Sequence, residues 1–132
     1  YVIFGSPLNM LCDNPSNYRR EPECTAFIAR IPTVWDETLG LDGKVGEYIT
    51  MARRSGDEWY VGGLTNWDKR DIIVDLSFLG EGFYEIELFK DGINADRAAC
   101  DYKRVVMPVP EDRQLKVTLF PGGGFAGRIE KR

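Results

Sequence analysis

From about Trp35 to its end, the chain consists of short apolar runs separated by turn residues. In the clearest run, residues 71–78, Ile72, Val74 and Leu76 alternate with polar positions, and Ile73 is the one exception. Successive side chains of a strand point to opposite faces of a sheet, so this period of two predicts strands that are buried on one face. The predicted strands are residues 45–54, 58–65, 71–78, 83–90, 104–109, 114–120 and 125–130.

These strands recur about every 8–12 residues, a spacing that is typical of a sandwich or barrel. The links between them, such as residues 79–82 and 121–124, are too short for the crossovers that parallel strands need. We therefore predict an all-β fold. It would be an antiparallel two-sheet β-sandwich of about 7–8 strands, preceded by a short helical N-terminal segment.

Residues 1–34 carry a different, helical or irregular pattern. Ser6 followed by Pro7 suits the start of a helix, and residues 8–12 are apolar enough to predict a buried helix there. Residues 13–20 contain Asn, Pro and Ser, and predict a loop. A second helix is predicted to begin near Pro22 and to end before Pro32. Its apolar residues are spaced i, i+3, i+4 and i+7 and share one face: Cys24, Phe27, Ile28 and Ile31.

The change of pattern near Pro32 divides the chain into residues 1–34 and residues 35–132, with the sandwich in the second part. The apolar side chains of the first part have too little partner sequence in the chain to be buried. We therefore expect the chain to begin within an element of a longer protein. We also predict that these side chains form a self-associating interface patch. The patch comprises Tyr1, Val2, Phe4, Leu8, Leu11, Phe27, Ile28 and Ile31.

The composition argues against several classes of function. The net charge of −4 and the pI of about 4.9 favour neither nucleic acid nor an anionic membrane as a partner. The apolar run at the N-terminus is also shorter than a bilayer requires. Histidine is absent, which removes the commonest general base and metal ligand. The three cysteines lack metal-ligand spacing, and the sequence permits one disulfide without requiring it.

Some carboxylates lie close together in the sequence, at Glu21 and Glu23 and again at Asp36 and Glu37. Glycoside hydrolysis needs two carboxylates across a sugar, which sequence neighbours do not establish. We interpret the first pair as part of a helix start and the second as a loop or strand entry. Residues 121–124 are glycine-rich but lack the lysine and the helix of a phosphate-binding loop, so we interpret them as a hairpin turn.

The three tryptophans are candidate stacking platforms for sugar rings. Trp59 lies in the middle of a predicted strand and is expected in the core. Trp67 follows a turn and is expected to be partly exposed, and Trp35 lies where the two patterns meet. Trp67 and Trp35 are therefore the candidate sugar contacts. The short basic pairs are interpreted as solvated charge: Arg53-Arg54 and Lys69-Arg70.

Several motifs together resemble a known family. They are residues 6–18 (SPLNMLCDNPSNY), 21–24 (EPEC), 31–38 (IPTVWDET), 43–48 (GKVGEY), 59–67 (WYVGGLTNW), 75–80 (DLSFLG), 91–97 (DGINADR) and 121–125 (PGGGF). On these motifs the chain resembles the C-terminal region of glycoside hydrolase family 97 over essentially its whole length. Residues 1–34 would then be the last helix of the catalytic barrel and its connector.

The resemblance implies a parent enzyme among the α-glucosidases and α-galactosidases of Bacteroidetes, either retaining or inverting. Members have an N-terminal sandwich, a central (β/α)8 barrel and a C-terminal sandwich. Their catalytic carboxylates and calcium ligands belong to the first two domains. The resemblance therefore implies no catalytic, cofactor-binding or metal-binding residue in this chain, which would not be an enzyme by itself.

We accordingly expect a non-catalytic domain that supports the barrel and oligomerisation. The expected partners are the parent's catalytic barrel and further copies of the enzyme. The alternative is a carbohydrate-binding module that delivers oligosaccharides to the catalytic domain. The family also implies a periplasmic location. Residues 35–38 match the family pattern closely but have no role that the sequence assigns.

Overall fold

The computed structural model describes residues 1–6 and 9–132. Two short helices come first, α1 (Pro15–Arg20) and α2 (Pro22–Arg30). Eight strands follow: β1 (Glu37–Lys44), β2 (Tyr48–Ser55), β3 (Glu58–Thr65), β4 (Arg70–Asp75), β5 (Tyr84–Asp91), β6 (Tyr102–Pro108), β7 (Gln114–Leu119) and β8 (Gly124–Lys131). No helix in this part of the chain is long and apolar enough to cross a membrane.

The strands form two antiparallel sheets, which confirms the predicted two-sheet sandwich. The larger sheet has six strands in the order β1-β2-β3-β8-β5-β6, and the smaller sheet pairs β4 with β7. The chain's last strand, β8, inserts between β3 and β5 and so joins the first hairpins to the later ones. The two strands of the smaller sheet are far apart in sequence, because Val74 on β4 lies opposite Leu115 on β7.

The core lies between the two sheets. In the larger sheet, one row of neighbours runs from Val61 through Gly127 to Leu88, and these residues face the smaller sheet. Apolar side chains of β4 and β7 fill the space from the other side. The buried core residues are Ala52, Val61, Val74, Leu76, Leu79, Ile86, Leu88, Val109, Leu115, Val117, Leu119, Phe125 and Ile129. Trp59 packs against this core, as predicted, with its ring centroid 4.5 Å from that of Phe78.

All seven predicted strands are present, with ends that differ by a few residues. Turns account for the differences. Residues 45–47 belong to the turn after β1, where the Glu47 amide donates to the Lys44 carbonyl at 2.9 Å. Residues after Asp75 leave the sheet in a turn closed by the Leu79 amide and the Leu76 carbonyl at 3.0 Å. In both places the predicted strand included turn residues, because apolar residues such as Val45 and Phe78 also occur in these turns.

Strand β1 was not predicted, because its sequence ETLGLDGK contains two glycines and an aspartate. It forms at the sheet edge through pairing with β2 alone, and its register shifts between Gly40 and Asp42. Leu39 and Leu41 are the side chains that it packs against the core. Pairing with a neighbouring strand, rather than strand propensity, therefore defines this element.

The prediction for the helices was partly wrong. Residues 9–12 are not helical, and Pro7 and Leu8 lie outside the described residues. The predicted loop at residues 13–20 contains α1, which Asn14 caps by accepting hydrogen bonds from the amides of Ser16 and Asn17 at 3.0 and 3.1 Å. Polar side chains at an N-cap satisfy the free amides of a helix start. The prediction treated Asn, Pro and Ser as loop residues and did not consider this capping role.

The second helix was predicted correctly. Pro22 occupies the first turn of α2, and the helix ends at Arg30. Ile31 then adopts an extended conformation, with φ of −67° and ψ of 121°, as expected for the residue before Pro32.

Matched isoleucine truncations test which face of each strand the core uses. Ile86 is fully buried and Ile73 is 57% exposed. We expect Ile86→Ala to lower the free energy of unfolding by about 2–5 kcal/mol, because it removes buried methyl groups and leaves a cavity. Ile73→Ala should change it by no more than about 0.5 kcal/mol. Urea unfolding of both variants measures the difference, and equal losses would contradict the sandwich assignment.

Candidate functional site

Residues 1–4 and α2 fold back onto the face of the six-stranded sheet that points away from the core, hereafter the outer face. The ring of Phe27 on α2 is 5% exposed and lies 4.7 Å from that of Phe89 on β5. Phe89 stacks in turn on Tyr102 of β6, with centroids 5.8 Å apart. The outer face is therefore covered by the chain itself at this point, and the larger sheet lies between two layers.

Val2 packs closely on the outer face at a position where the strand carries a glycine. It is 4% exposed, and a Cβ atom added to Gly62 on β3 would lie 3.2 Å from the Val2 side chain. Such a separation is tighter than ordinary carbon contacts, so a side chain at residue 62 would displace Val2. On the opposite face, Gly63 leaves room for the ring of Phe125 in the same way. The two adjacent glycines thus let one strand be packed closely on both sides.

Tyr60 forms the polar centre of this contact. Its side chain is 1% exposed, and its hydroxyl oxygen lies 3.0 Å from the carbonyl oxygen of Arg30 and 2.9 Å from the Glu58 carboxylate. Burial, and then the hydrogen bond to Glu58, raise the pKa of Tyr60 to about 12. The hydroxyl therefore stays protonated near neutral pH and anchors the last carbonyl of α2 to the sheet.

Arg53 is buried beneath the N-terminal residues, although the sequence suggested solvated charge. It is 6% exposed, its guanidinium carbon lies 5.5 Å from the Trp35 ring centroid, and it donates to the Phe4 carbonyl at 3.3 Å. Its Nε atom has no hydrogen-bond partner among residues 1–6 and 9–132. The interpretation of Arg53 as solvated was wrong, because a segment distant in sequence covers it.

An ion network ties α2 to β5 and β6. Glu87 on β5 accepts from Arg30 at 3.2 Å and from Arg104 at 2.8 Å, and Arg104 also lies 3.8 Å from Glu23. The hydrogen bond to Glu87 and its charge raise the pKa of Arg104 above its ordinary value. Glu23 thus contacts a strand in addition to its place at the helix start. Because the sequence does not show which strands meet the helix, this network could not be predicted.

The segment comprising residues 35–37 ties β1 to the hairpin of β2 and β3. The Asp36 carboxylate accepts from the Gly56 amide at 2.7 Å, and the Asp36 amide donates to the Arg54 carbonyl at 2.8 Å. Glu37 pairs with Arg54 at 3.3 Å. These carboxylates hold a strand entry in place, as the sequence suggested, and the conspicuous family motif has a structural role.

A cavity of about 270 Å³ remains between residues 1–4, α2 and the outer face. Its lining is apolar, and six of the predicted patch residues contribute to it: Tyr1, Val2, Phe4, Phe27, Ile28 and Ile31. Val2 and Phe27 are buried, Tyr1, Ile28 and Ile31 are half-buried, and Phe4 and Leu11 are 66% and 46% exposed. Leu8 is not among the described residues. Part of the patch thus packs on the chain's own sheet, and its role as an interface stays a prediction.

The two candidate sugar contacts lie in different surroundings. Trp35 is half-buried, meets Tyr60 edge-on at 5.4 Å and is covered by Arg53. Trp67 is 83% exposed in the loop between β3 and β4, where its indole lies over Gly122. Trp67 therefore offers an open aromatic plane, and Trp35 does not. Sugar contact by either residue stays a prediction.

The described part of the chain has no group of three or more histidine, cysteine, aspartate or glutamate residues placed to hold a metal ion. Cys12, Cys24 and Cys100 are free thiols in this structure. The main feature of this region is a packing surface, formed where residues 1–4 and α2 contact the outer face of the sheet.

Comparison with known proteins identifies the family to which this architecture belongs. The sequence model of a family described as "Glycosyl-hydrolase 97 C-terminal, oligomerisation" matches residues 34–130. The chain belongs to this family. It is thus a non-catalytic C-terminal domain of the glycoside hydrolase family 97 type, as its motifs indicated. The division at residues 34 and 35 stays a prediction as a domain boundary.

Individual relatives agree with the family 97 assignment. The chain is 65% identical over 130 residues to a retaining alpha-galactosidase of Bacteroides thetaiotaomicron. The aligned region covers 98% of this chain and 20% of that protein. A family 97 enzyme of Pseudoalteromonas sp. strain K8, solved with panose, superimposes with a TM-score of 0.85 at 34% identity and covers 91% of this chain and 20% of its own. A beta-arabinopyranosidase structure superimposes with a TM-score of 0.75 at 29% identity, and the match covers 92% of this chain and 19% of that chain.

The chain spans about a fifth of the length of the curated relatives that it matches. The catalytic residues of these enzymes lie outside the matched part. Relatives with differently named activities share this domain, so its fold does not set the substrate of the enzyme that carries it.

Substitution of two glycines tests the contact between Val2 and the outer face. Gly62→Val should displace Val2 and lower the free energy of unfolding by about 1–3 kcal/mol, the usual cost of overpacking. Amide hydrogen exchange should speed up at residues 1–6 and along α2. Gly40→Val is the control, because nothing lies within 4 Å of a Cβ atom there. Unchanged exchange at residues 1–6 in Gly62→Val would mean that this segment does not depend on the glycine.

Proposed function

We propose that this domain is a structural module of a family 97 enzyme that stabilises the catalytic barrel and contributes to contacts between copies of the enzyme. The observation that supports it is the packing of residues 1–4 and α2 on the outer face. Buried Phe27 and Val2 fix the segment to the sheet, and Phe4, Met10 and Leu11 remain exposed by 66%, 73% and 46%. An apolar surface on a segment that is itself firmly held favours a protein partner.

The parent enzyme that we propose is a retaining α-galactosidase acting on oligosaccharides. The support is the 65% identity to the Bacteroides thetaiotaomicron protein, which exceeds the 34% identity to the Pseudoalteromonas enzyme solved with panose. An α-glucosidase is the alternative parent. The catalytic residues, and the calcium expected for the family, would then belong to the catalytic part of the parent. A periplasmic location remains a proposal that rests on family resemblance.

Sedimentation velocity of this chain tests the exposed apolar surface. We expect the chain to self-associate, because no catalytic domain covers Phe4 and Leu11. The double variant Phe4→Ser/Leu11→Ser should weaken dimerisation roughly tenfold or more, since anchors of this kind contribute more than about 1 kcal/mol each. Ile73→Ser/Phe83→Ser is the matched control, with side chains that are 57% and 83% exposed elsewhere. A chain that stays monomeric at all accessible concentrations would contradict the proposal.

A carbohydrate-binding module is the second candidate, supported by the exposure of Trp67. The loop that carries Trp67 is held at its base, because the Asn66 amide donates to the Glu47 carbonyl at 2.8 Å and the Gly122 amide donates to the Asn66 carbonyl at 2.7 Å. An aromatic plane that is open and fixed costs little entropy on binding a sugar ring.

Isothermal titration with maltooligosaccharides and α-galactosides tests this candidate. Saturable heat that Trp67→Ala abolishes would support a sugar-binding module. Phe83→Ala is the control, because Phe83 is equally exposed, at 83%, on a different part of the surface. If millimolar sugar produces no heat, or if Phe83→Ala reduces the heat as much as Trp67→Ala, the candidate is wrong.

A further inference from the structure

A concave surface of about 300 Å³ lies at one end of the sandwich, between the two sheets. Lys90 on β5 and Lys103 on β6 line it from the larger sheet, and Lys69 lines it from just before β4. Ile93, Thr118 and Phe120 complete most of the wall. We call it the lysine basin. It takes three of the six lysines of a chain whose net charge is −4.

The positive charges in the lysine basin are not balanced by ion pairs. Lys90 and Lys103 lie directly opposite each other in the register of β5 and β6, an arrangement that like charges make unfavourable. Lys69 places its Nζ atom 4.8 Å from the centre of the Phe120 ring. Throughout the described ranges 1–6 and 9–132, none of the three ammonium groups pairs with a carboxylate. The fold thus gathers three ammonium groups, none of them in an ion pair, around one concave surface.

The acidic side chains nearby are engaged elsewhere. Asp91 lies in the wall, but its Oδ2 accepts from the Phe120 amide at 2.9 Å and its Oδ1 accepts from the Gly124 amide at 3.3 Å. Asp71 accepts from the Thr118 hydroxyl at 2.5 Å. The Asp91 carboxylate therefore fixes the turn after β7, and it is the one negative charge in a described wall that three lysines line.

The lysine basin also has apolar surface beside its charges. Ile93 is 72% exposed, and Phe120 presents a half-buried ring. A pyranose that carries a carboxylate or a sulfate has both features, since C–H groups form one side of the ring and the anion projects from its rim. The volume is at the lower end of the range for small-molecule sites, about 300–1,000 Å³. A folded protein partner would instead need an extended interface, of at least about 1,200 Å² in total.

We propose that the lysine basin binds anionic sugars, either uronic acids or sulfated pyranoses. Lys90 and Lys103 hold the anionic group, and Ile93 and Phe120 contact the apolar side of the ring. This site differs from the outer face of the sheet and from the Trp67 loop. Its ligand belongs to the class of molecules on which glycoside hydrolases act. The binding does not depend on self-association through Phe4 and Leu11, so each can fail without the other.

The test is titration of the chain with four probes: trigalacturonate, a sulfated galactooligosaccharide, the neutral galactooligosaccharide and inorganic sulfate. We expect saturable binding of at least one anionic sugar, weakened by added salt, and no binding of the neutral one. Lys90→Gln/Lys103→Gln should weaken it by about tenfold or more, because charge-assisted hydrogen bonds are lost. Since the double variant removes a like-charge pair, its urea midpoint should not fall.

Lys131→Gln is the matched control, because this exposed lysine on β8 lies opposite Tyr84, at the other end of β5 from Lys90. It should bind like the unmodified chain. The two anionic sugars distinguish a carboxylate site from a sulfate site. Failure of both to bind, or equal binding by the double variant, would overturn the proposal. So would inorganic sulfate binding as tightly as the sulfated sugar, because the site would then recognise an anion only.

Discussion

Coverage of the outer face of the six-stranded sheet is the constraint on which the rest of the structure depends. A sandwich of this size buries one face of each sheet, and the other face is ordinarily solvated. Here Phe27 packs on Phe89, and Val2 packs on Gly62, so the central strands are enclosed on both sides. Strands β3, β8 and β5 therefore carry apolar residues toward the core and mixed polar and aromatic residues toward the N-terminal segment.

The polar groups on the outer face fix the position of α2 on the sheet. Apolar contact alone would allow α2 to slide over the sheet, because burial of apolar surface is non-directional. The Tyr60 hydroxyl at the Arg30 carbonyl, and Glu87 between Arg30 and Arg104, fix the end of the helix at one place. The segment covers Tyr60 and Arg53 and accepts a hydrogen bond from each, at the Arg30 and Phe4 carbonyls, so its removal would break both hydrogen bonds.

The exposed surfaces that are candidate binding sites differ in their chemistry. Phe4, Met10 and Leu11 expose apolar side chains on the N-terminal segment. A surface of the opposite type, lined by three lysines and Asp91, lies at the end of the sandwich beside β5 and β6. The Trp67 loop is separately fixed over Gly122. A rigid sandwich can present several such surfaces at once, because its loops and edges are positioned by a core in which they take no part.

The sequence by itself determined the sandwich, since the period of two along residues 71–78 and 83–90 requires one buried face whatever the topology. It also indicated the end of α2, because Pro32 disfavours a helical conformation at Ile31. The family was recognisable from motifs distributed along the chain. Only the tertiary structure decided β1, which forms through pairing with β2, and the burial of Arg53 and Tyr60. It alone brought Lys69 to Lys90 and Lys103. These outcomes depend on contacts between residues distant in the chain, which local periodicity does not encode.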